Sequence, residues 1–325
     1  MKILVTGGAG FIGSHLCDQC LAGGDEVHAV DNLSLGRMEN VAHNLDNRGF
    51  RLIQADLLDL EPLADLFEAE RYDTVFHLAA NSDIRRSAHE TDLDLRQTFL
   101  TTYNVVECAR RSEVREILFT SSSTVYGPHE EPMSELTSPL QPVSLYGAAK
   151  LAAEGFLSAY ASLFNLSVWI FRLPNVVGER LTHGCVYDFV ERLRKDPTRL
   201  VILGDGRQHK PYAHVKDVID AMVLAWEHPD ERVNCFNIGV NETTSVREIA
   251  RMVIQEMGLK DVLTECTDDE AAWPGDIPYF QYDWRKLRAL GWEPRHTPEE
   301  AIRAAVRALL QSRAPGTNPV RKEGP

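Results

Sequence analysis

Tyr146 and Lys150 stand four residues apart in YGAAK (146–150), so on a helix they share one face. A free phenol, with a pKa of about 10, is a poor base at neutral pH. An ammonium on the same face stabilises the phenolate and lowers that value. Upstream, SSSTVYG (121–127) ends an apolar run with hydroxyls, and Ser122 is placed to hold a substrate oxygen. At the N-terminus, TGGAGFIGSHL (6–16) carries a glycine-spaced turn. Y-x-x-x-K alone also describes a surface helix pair. A tyrosine beside a lysine, a hydroxyl donor and a dinucleotide turn are together the parts that take a hydride from a secondary alcohol, with Ser122, Tyr146 and Lys150 as catalytic candidates.

Gly7, Gly10 and Gly13 follow the apolar run 2–6 and open a helix-like stretch. Residues without Cβ let the backbone turn tightly and approach a pyrophosphate, and a helix N-terminus offers free N–H groups to it. A tight strand-to-helix turn without a ligand has the same glycines, so a second sign is needed. Asp31 supplies it, closing the second apolar run with a carboxylate able to accept both ribose hydroxyls of NAD. It would repel the additional phosphate of NADP. Asn32 beside it adds no positive charge, although Arg37 is near in sequence. Asp56 is placed either to meet the adenine edge or to cap the next helix. In HLAA (77–80), the small residues Ala79 and Ala80 after Leu78 suit a backbone running under the cofactor, or plain strand packing.

The elements that must carry these groups follow from periodicity. Apolar, β-branched runs at 2–6, 26–30, 51–55, 74–78, 115–121 and 166–172 read as strands covered on both faces. Helical patterns near 12–22, 61–70, 89–111 and 144–164 alternate with them. This order predicts an α/β fold, a doubly wound parallel Rossmann-type sheet over 1–172. Helices near 184–195, 215–227, 245–257 and 298–312 belong to a smaller α/β substrate-binding part over 173–312. Segments near 213–240 are expected to return to the first sheet. The tail 313–325 is almost devoid of apolar residues and reads as disordered.

Composition narrows the function. The chain has 325 residues, 44% hydrophobic and 25% charged, and a net charge of −14. Such a charge disfavours nucleic acid as a partner. Neither a signal peptide nor an 18-residue apolar run is found, so the reading is a cytoplasmic protein without a membrane partner. Cys17 and Cys20 have C-x-x-C spacing on the first helix with no second pair nearby. They read as packing residues, and no metal site is expected.

These motifs resemble those of the extended short-chain dehydrogenase/reductase family, specifically its nucleotide-sugar epimerases. DNLSLG (31–36), HLAANSDIRRS (77–87), RLPNVVG (172–178), THG-x-x-YDF (182–189), GDGRQHKPYAHVKD (204–217) and WPGD (273–276) extend the likeness from residue 1 to about 310. The resemblance implies that NAD stays bound and that UDP-glucose and UDP-galactose interconvert through a transient 4-keto sugar. Tyr146 would take the proton of the sugar O4. The resemblance adds Phe11, Ile12, Leu33, Gly36, Leu57 and Val176 to the cofactor wall, where Tyr146 and Lys150 also bind and Lys150 can hold the nicotinamide ribose, and Thr124, Asn175, Tyr187, Lys210 and Asp276 to the sugar-nucleotide site. Ser123 and Thr124 stand where related dehydratases have an Asp-Glu pair, which disfavours dehydration. Thr98 replaces a usual asparagine, Lys210-Pro211 a usual arginine with Asp or Ser, and Trp273 a second arginine. Arg180 and Arg207 are the residues expected to compensate. Phe280 matches a bulky pocket position and speaks against N-acetylated sugars, although core packing explains it and Trp273 equally. The family also implies a homodimer built on the helices near 89–111 and 144–164. Competing readings are a UDP-glucuronate epimerase or decarboxylase with a clamp near Thr124 and Tyr187, a net NAD-dependent dehydrogenase, and a non-catalytic NAD sensor.

Overall fold

A computed structural model describes residues 1–267 and 275–312. The tail 313–325 and Trp273, both singled out above, lie outside the described residues. The strands are β1 (Lys2–Thr6), β2 (Glu26–Asp31), β3 (Phe50–Gln54), β4 (Thr74–His77), β5 (Glu116–Ser122), β6 (Ser167–Leu173), β7 (Asn175–Val177), β8 (Arg199–Ile202), β9 (His209–Lys210), β10 (Tyr212–His214), β11 (Val233–Asn237), β12 (Thr244–Ser245) and β13 (Leu263–Cys266). The helices are α1 (Phe11–Ala22), α2 (Leu60–Glu70), α3 (Ile84–Ser87), α4 (Thr101–Arg111), α5 (Leu145–Phe164), α6 (Cys185–Lys195), α7 (Val215–Glu227), α8 (Val246–Glu256), α9 (Arg285–Ala289) and α10 (Pro298–Gln311).

Seven strands form one parallel sheet in the order β11-β6-β5-β4-β1-β2-β3. Each strand feeds side chains alternately to two cores, as a sheet covered on both faces requires. Ile3, Val5, Leu118, Trp169 and Phe171 enter the core with α1, α7 and the C-terminal helices. Leu4, Ile117, Phe119, Val168 and Ile170 enter the other, with α2, α4 and α5. Strand order reverses between β1 and β4, so the crevice at their carboxyl ends is the switch point where ligands bind in such sheets. β11, from the later part of the chain, closes the sheet beside β6. The remaining strands pair as β7 with β10, β9 with β12 and β8 with β13.

One helix differs from the sequence reading. The stretch 89–111 is not continuous: a turn follows α3, Leu95–Leu100 form a π-helix, and only then does α4 begin. Threonine hydroxyls accompany the irregularity. Thr101 Oγ1 donates to the Gln97 and Thr98 carbonyls, and Thr102 Oγ1 to that of Thr98 at 2.6 Å. Such π-turns recur at functional sites, and this one packs against α5.

Candidate active site

α5 starts cleanly because Ser144 caps it, its Oγ accepting the Gly147 N–H at 3.1 Å. Tyr146 therefore sits in the first turn, where the helix dipole favours negative charge, and Lys150 follows one turn later. The two are brought together as the spacing requires, with Lys150 Nζ 5.9 Å from the Tyr146 ring centre. Lys150 is 2% exposed, donates to the Thr120 carbonyl at 2.6 Å and lies 4.6 Å from the Phe119 ring centre. Burial pushes Lys150 down to about 7, against the pull of Asp94 and Glu154. It pushes Tyr146 up to about 12, opposed by a hydrogen bond with Ser122. Ser122 Oγ accepts from the Thr124 N–H at 3.3 Å and from Thr124 Oγ1 at 3.1 Å. Its own proton is then directed toward Tyr146.

The glycine turn is locked sterically. Gly7 has φ of 69°, and a Cβ there would come within 2.9 Å of Ala79 N. A Cβ on Gly13 would sit 2.1 Å from the Gly7 carbonyl oxygen. Gly13→Ala should therefore open this turn. The expected result is purified protein with little bound NAD, read as nucleotide released on denaturation; full loading would contradict the argument.

A cavity of about 770 Å³ runs from this turn to β9. Its walls include Gly7, Gly10, Phe11, Ile12 and Gly13; Asp31, Asn32 and Gly36; Asp56 and Leu57; Leu78, Ala79 and Ala80; Ser122, Thr124, Tyr146 and Lys150; and Asn175, Val176, Lys210, Asp276 and Phe280. Asp31 accepts the Ala9 N–H at 3.0 Å and the Leu33 N–H at 2.8 Å, and burial pushes its carboxyl up against those bonds. Asp56 accepts from Asn32 Nδ2 at 3.0 Å and from the Leu58 N–H at 2.9 Å. It does not cap α2, whose N-cap is Asp59. The open glycine cradle and the buried Asp31 at the second strand end fit a dinucleotide.

Two expected residues fall elsewhere. Leu33, with φ of 59°, shapes the turn through its N–H but is not among the cavity walls. Tyr187 is off the wall too, its hydroxyl 3.5 Å from Arg37 Nη2. α6 instead presents Cys185, Val186, Asp188, Phe189 and Arg192 to the cavity, beside its buried i, i+3, i+4, i+7 stripe Val186, Phe189, Val190 and Leu193. That stripe was readable in the sequence. The proposed substitutes also miss: Arg180 pairs with Asp18 at 2.7 Å, and Arg207 is exposed. Lys210 is paired with Asp276 at 2.5 Å, so these two substrate candidates form one ion pair in the wall. Gln208, inside a quoted motif but not singled out, lines the cavity with neither amide atom hydrogen-bonded among the described residues.

The two cysteines of the C-x-x-C spacing are buried, and burial raises the thiol of Cys20 to about 12 and that of Cys17 well up. Both are inert thiols of the core. Among the described residues no helix is long and apolar enough to cross a membrane.

A cavity that fits a dinucleotide at the switch point of a doubly wound sheet, with Ser122, Tyr146 and Lys150 in its wall, is the arrangement of a nicotinamide-dependent enzyme of the alcohol-carbonyl class. Residues 3–239 match the model of the NAD dependent epimerase/dehydratase family, and the chain belongs to that family. It is 36% identical over 316 residues to a UDP-glucose 4-epimerase of Mycolicibacterium smegmatis, covering 94% of this chain and 97% of the relative. A crystal structure of UDP-galactose 4-epimerase is 38% identical, with a TM-score of 0.85 over 95% of this chain and 99% of that one. The Thermus thermophilus UDP-glucose 4-epimerase in complex with NAD is 33% identical, with a TM-score of 0.86 over 96% of this chain and 100% of that one.

Proposed function

We propose that this protein is an NAD-dependent 4-epimerase that interconverts UDP-glucose and UDP-galactose. The observation that carries the reading is the Thr124–Ser122–Tyr146–Lys150 constellation inside a dinucleotide cleft. NAD, when bound, would supply the hydride chemistry at C4, accepting the hydride and returning it to the other face of the 4-keto sugar. Tyr146 takes the O4 proton, and the Lys150 ammonium and the start of α5 stabilise the resulting phenolate. Ser122 fixes O4 by hydrogen bonding. The cavity gives the 4-keto sugar room to turn, and Tyr146 returns the proton to O4. Asp31 and Asp56 hold the adenosine end, Asn175 and the Lys210–Asp276 pair the sugar nucleotide. A uronate would need the clamp expected of Thr124 and Tyr187, and Tyr187 is off the wall, so the neutral hexose is favoured.

The test is incubation of the purified protein with UDP-, GDP-, CDP- and dTDP-sugars, followed by NMR for C4 epimers. UDP-galactose should give UDP-glucose with no net change at about 340 nm, the NADH band. Stoichiometric NADH without an epimer would instead identify a dehydrogenase.

We also propose a homodimer in the reducing cytoplasm, which suits six cysteines that form no disulfide. Leu95 and Leu100 of the π-helix and Phe156, Leu163 and Phe164 of α5 are exposed apolar residues on neighbouring helices. An uncovered apolar face of this kind suits a second copy. Phe156→Glu with Leu163→Glu should convert the dimer to a monomer in light scattering.

A further inference from the structure

Asp94 opens the π-helix and is 1% exposed. Its Oδ1 accepts from Asn81 Nδ2 at 2.8 Å, while Oδ2 has no hydrogen-bond partner among the described residues. Asn81 is itself fixed on the cavity wall: its amide nitrogen also meets Ser87 Oγ at 3.0 Å, and its N–H donates to Thr98 Oγ1 at 3.2 Å. A buried carboxylate with an unanswered oxygen is costly unless positive charge stands near.

The titratable groups acting on Lys150 are Asp94 from the π-helix, Glu154 and Tyr146 from α5, and His77 from β4. His77 is neutral, held down to about 3 by burial and by Lys150 itself, and bonded to Thr6 and Thr102. Glu154 is already gripped by Arg172, at 2.7 Å and 3.1 Å. The π-helix that Asp94 opens packs against α5, which carries Lys150, and of the two carboxylates that raise the Lys150 pKa, Asp94 is the one whose charge no arginine answers among the described residues. It acts on Tyr146 as well.

We propose that Asp94, clamped by Asn81 at the start of the π-helix, is the fixed counter-charge that holds the Lys150 ammonium beside Tyr146. It is a positioning residue of the reaction proposed above and rests on that reading. Its negative charge favours the protonated form of both neighbours, so removing it lowers both protonation equilibria. Asp94→Asn keeps the shape and deletes the charge. Its kcat–pH profile for UDP-galactose should move to lower pH on both limbs by about one unit, the effect of one nearby charge. A residue that only supports packing would lower the plateau without moving the limbs.

A second readout needs no sugar. Ultraviolet titration of the Tyr146 phenolate in NAD-loaded protein, with Tyr146→Phe as the blank in each background, should show the same downward displacement. Asp94→Ser is the second neutral variant if the amide does not fold. Limbs and phenolate titration that stay at the wild-type pH overturn the proposal. If the wild type epimerises none of the sugars, the proposed function fails, and the phenolate titration still decides the role of Asp94.

Discussion

Tyr146→Phe should lower kcat by roughly 10²–10⁴-fold, the usual contribution of a positioned general base, while the protein keeps its fold and its NAD. The half-buried ring lines the cavity, and the substitution removes only the oxygen. The groups that would hold the cofactor, from Gly7 to Asp31, lie on other elements. Loss of turnover with unchanged nucleotide content separates chemistry from binding. The apparent KM should change little, because the phenol acts where charge develops and adds little to ground-state binding. Full turnover by the variant would remove Tyr146 from the reaction.

Glu154→Ala should destabilise the fold by about 3–5 kcal/mol in denaturant titration, the typical cost of orphaning one member of a buried ion pair. Glu154 and Arg172 have side chains only 7% exposed, and the pair joins α5 to β6. The network runs on from there. Ser121 Oγ donates to Glu154 Oε1 at 2.5 Å, Arg172 Nη1 to Tyr126 Oη at 2.8 Å, and Tyr126 to Asn237 Oδ1 at 2.7 Å. With Glu154 removed, the buried Arg172 guanidinium keeps Tyr126 but loses its counter-charge and the partner of its Nε and Nη2. Replacing both charges, as Arg172→Met with Glu154→Leu, should recover part of the loss. A single variant as stable as the wild type would show that the pair contributes nothing net.

The placement of the candidate site was legible where it depends on local spacing. Tyr146 and Lys150 share a helix face by their separation alone; Gly7 and Asp31 stand at the ends of β1 and β2, and Gly10 and Gly13 at the start of α1, elements whose period is plain. Side chains from irregular backbone were not legible. Asp94 and Asn81 meet through a π-helix, whose register a 3.6-residue period does not describe. Arg180 and Arg207 lie in loops, and a loop sequence does not say where its side chains aim. Lys210 was assigned to the sugar-nucleotide site from its motif, yet Asp276, more than sixty residues later in sequence, stands against it. Tyr187 differs in kind. Its helix was placed correctly, and the face turned to the cavity follows from counting residues along α6.

The Thr124-to-Ser122 bonds bear on how one active site serves both epimers. They anchor the serine oxygen to a protein N–H and hydroxyl, which leaves its proton for the Tyr146 oxygen and, in the proposed reaction, for the sugar O4. In the proposed reaction, the proton-handling end of the pocket is thus aligned before any sugar enters. Reorientation falls to the substrate alone. Traffic in the two directions then meets the same stationary acid–base partner, and the pocket has no need to rearrange between removing the hydrogen and returning it.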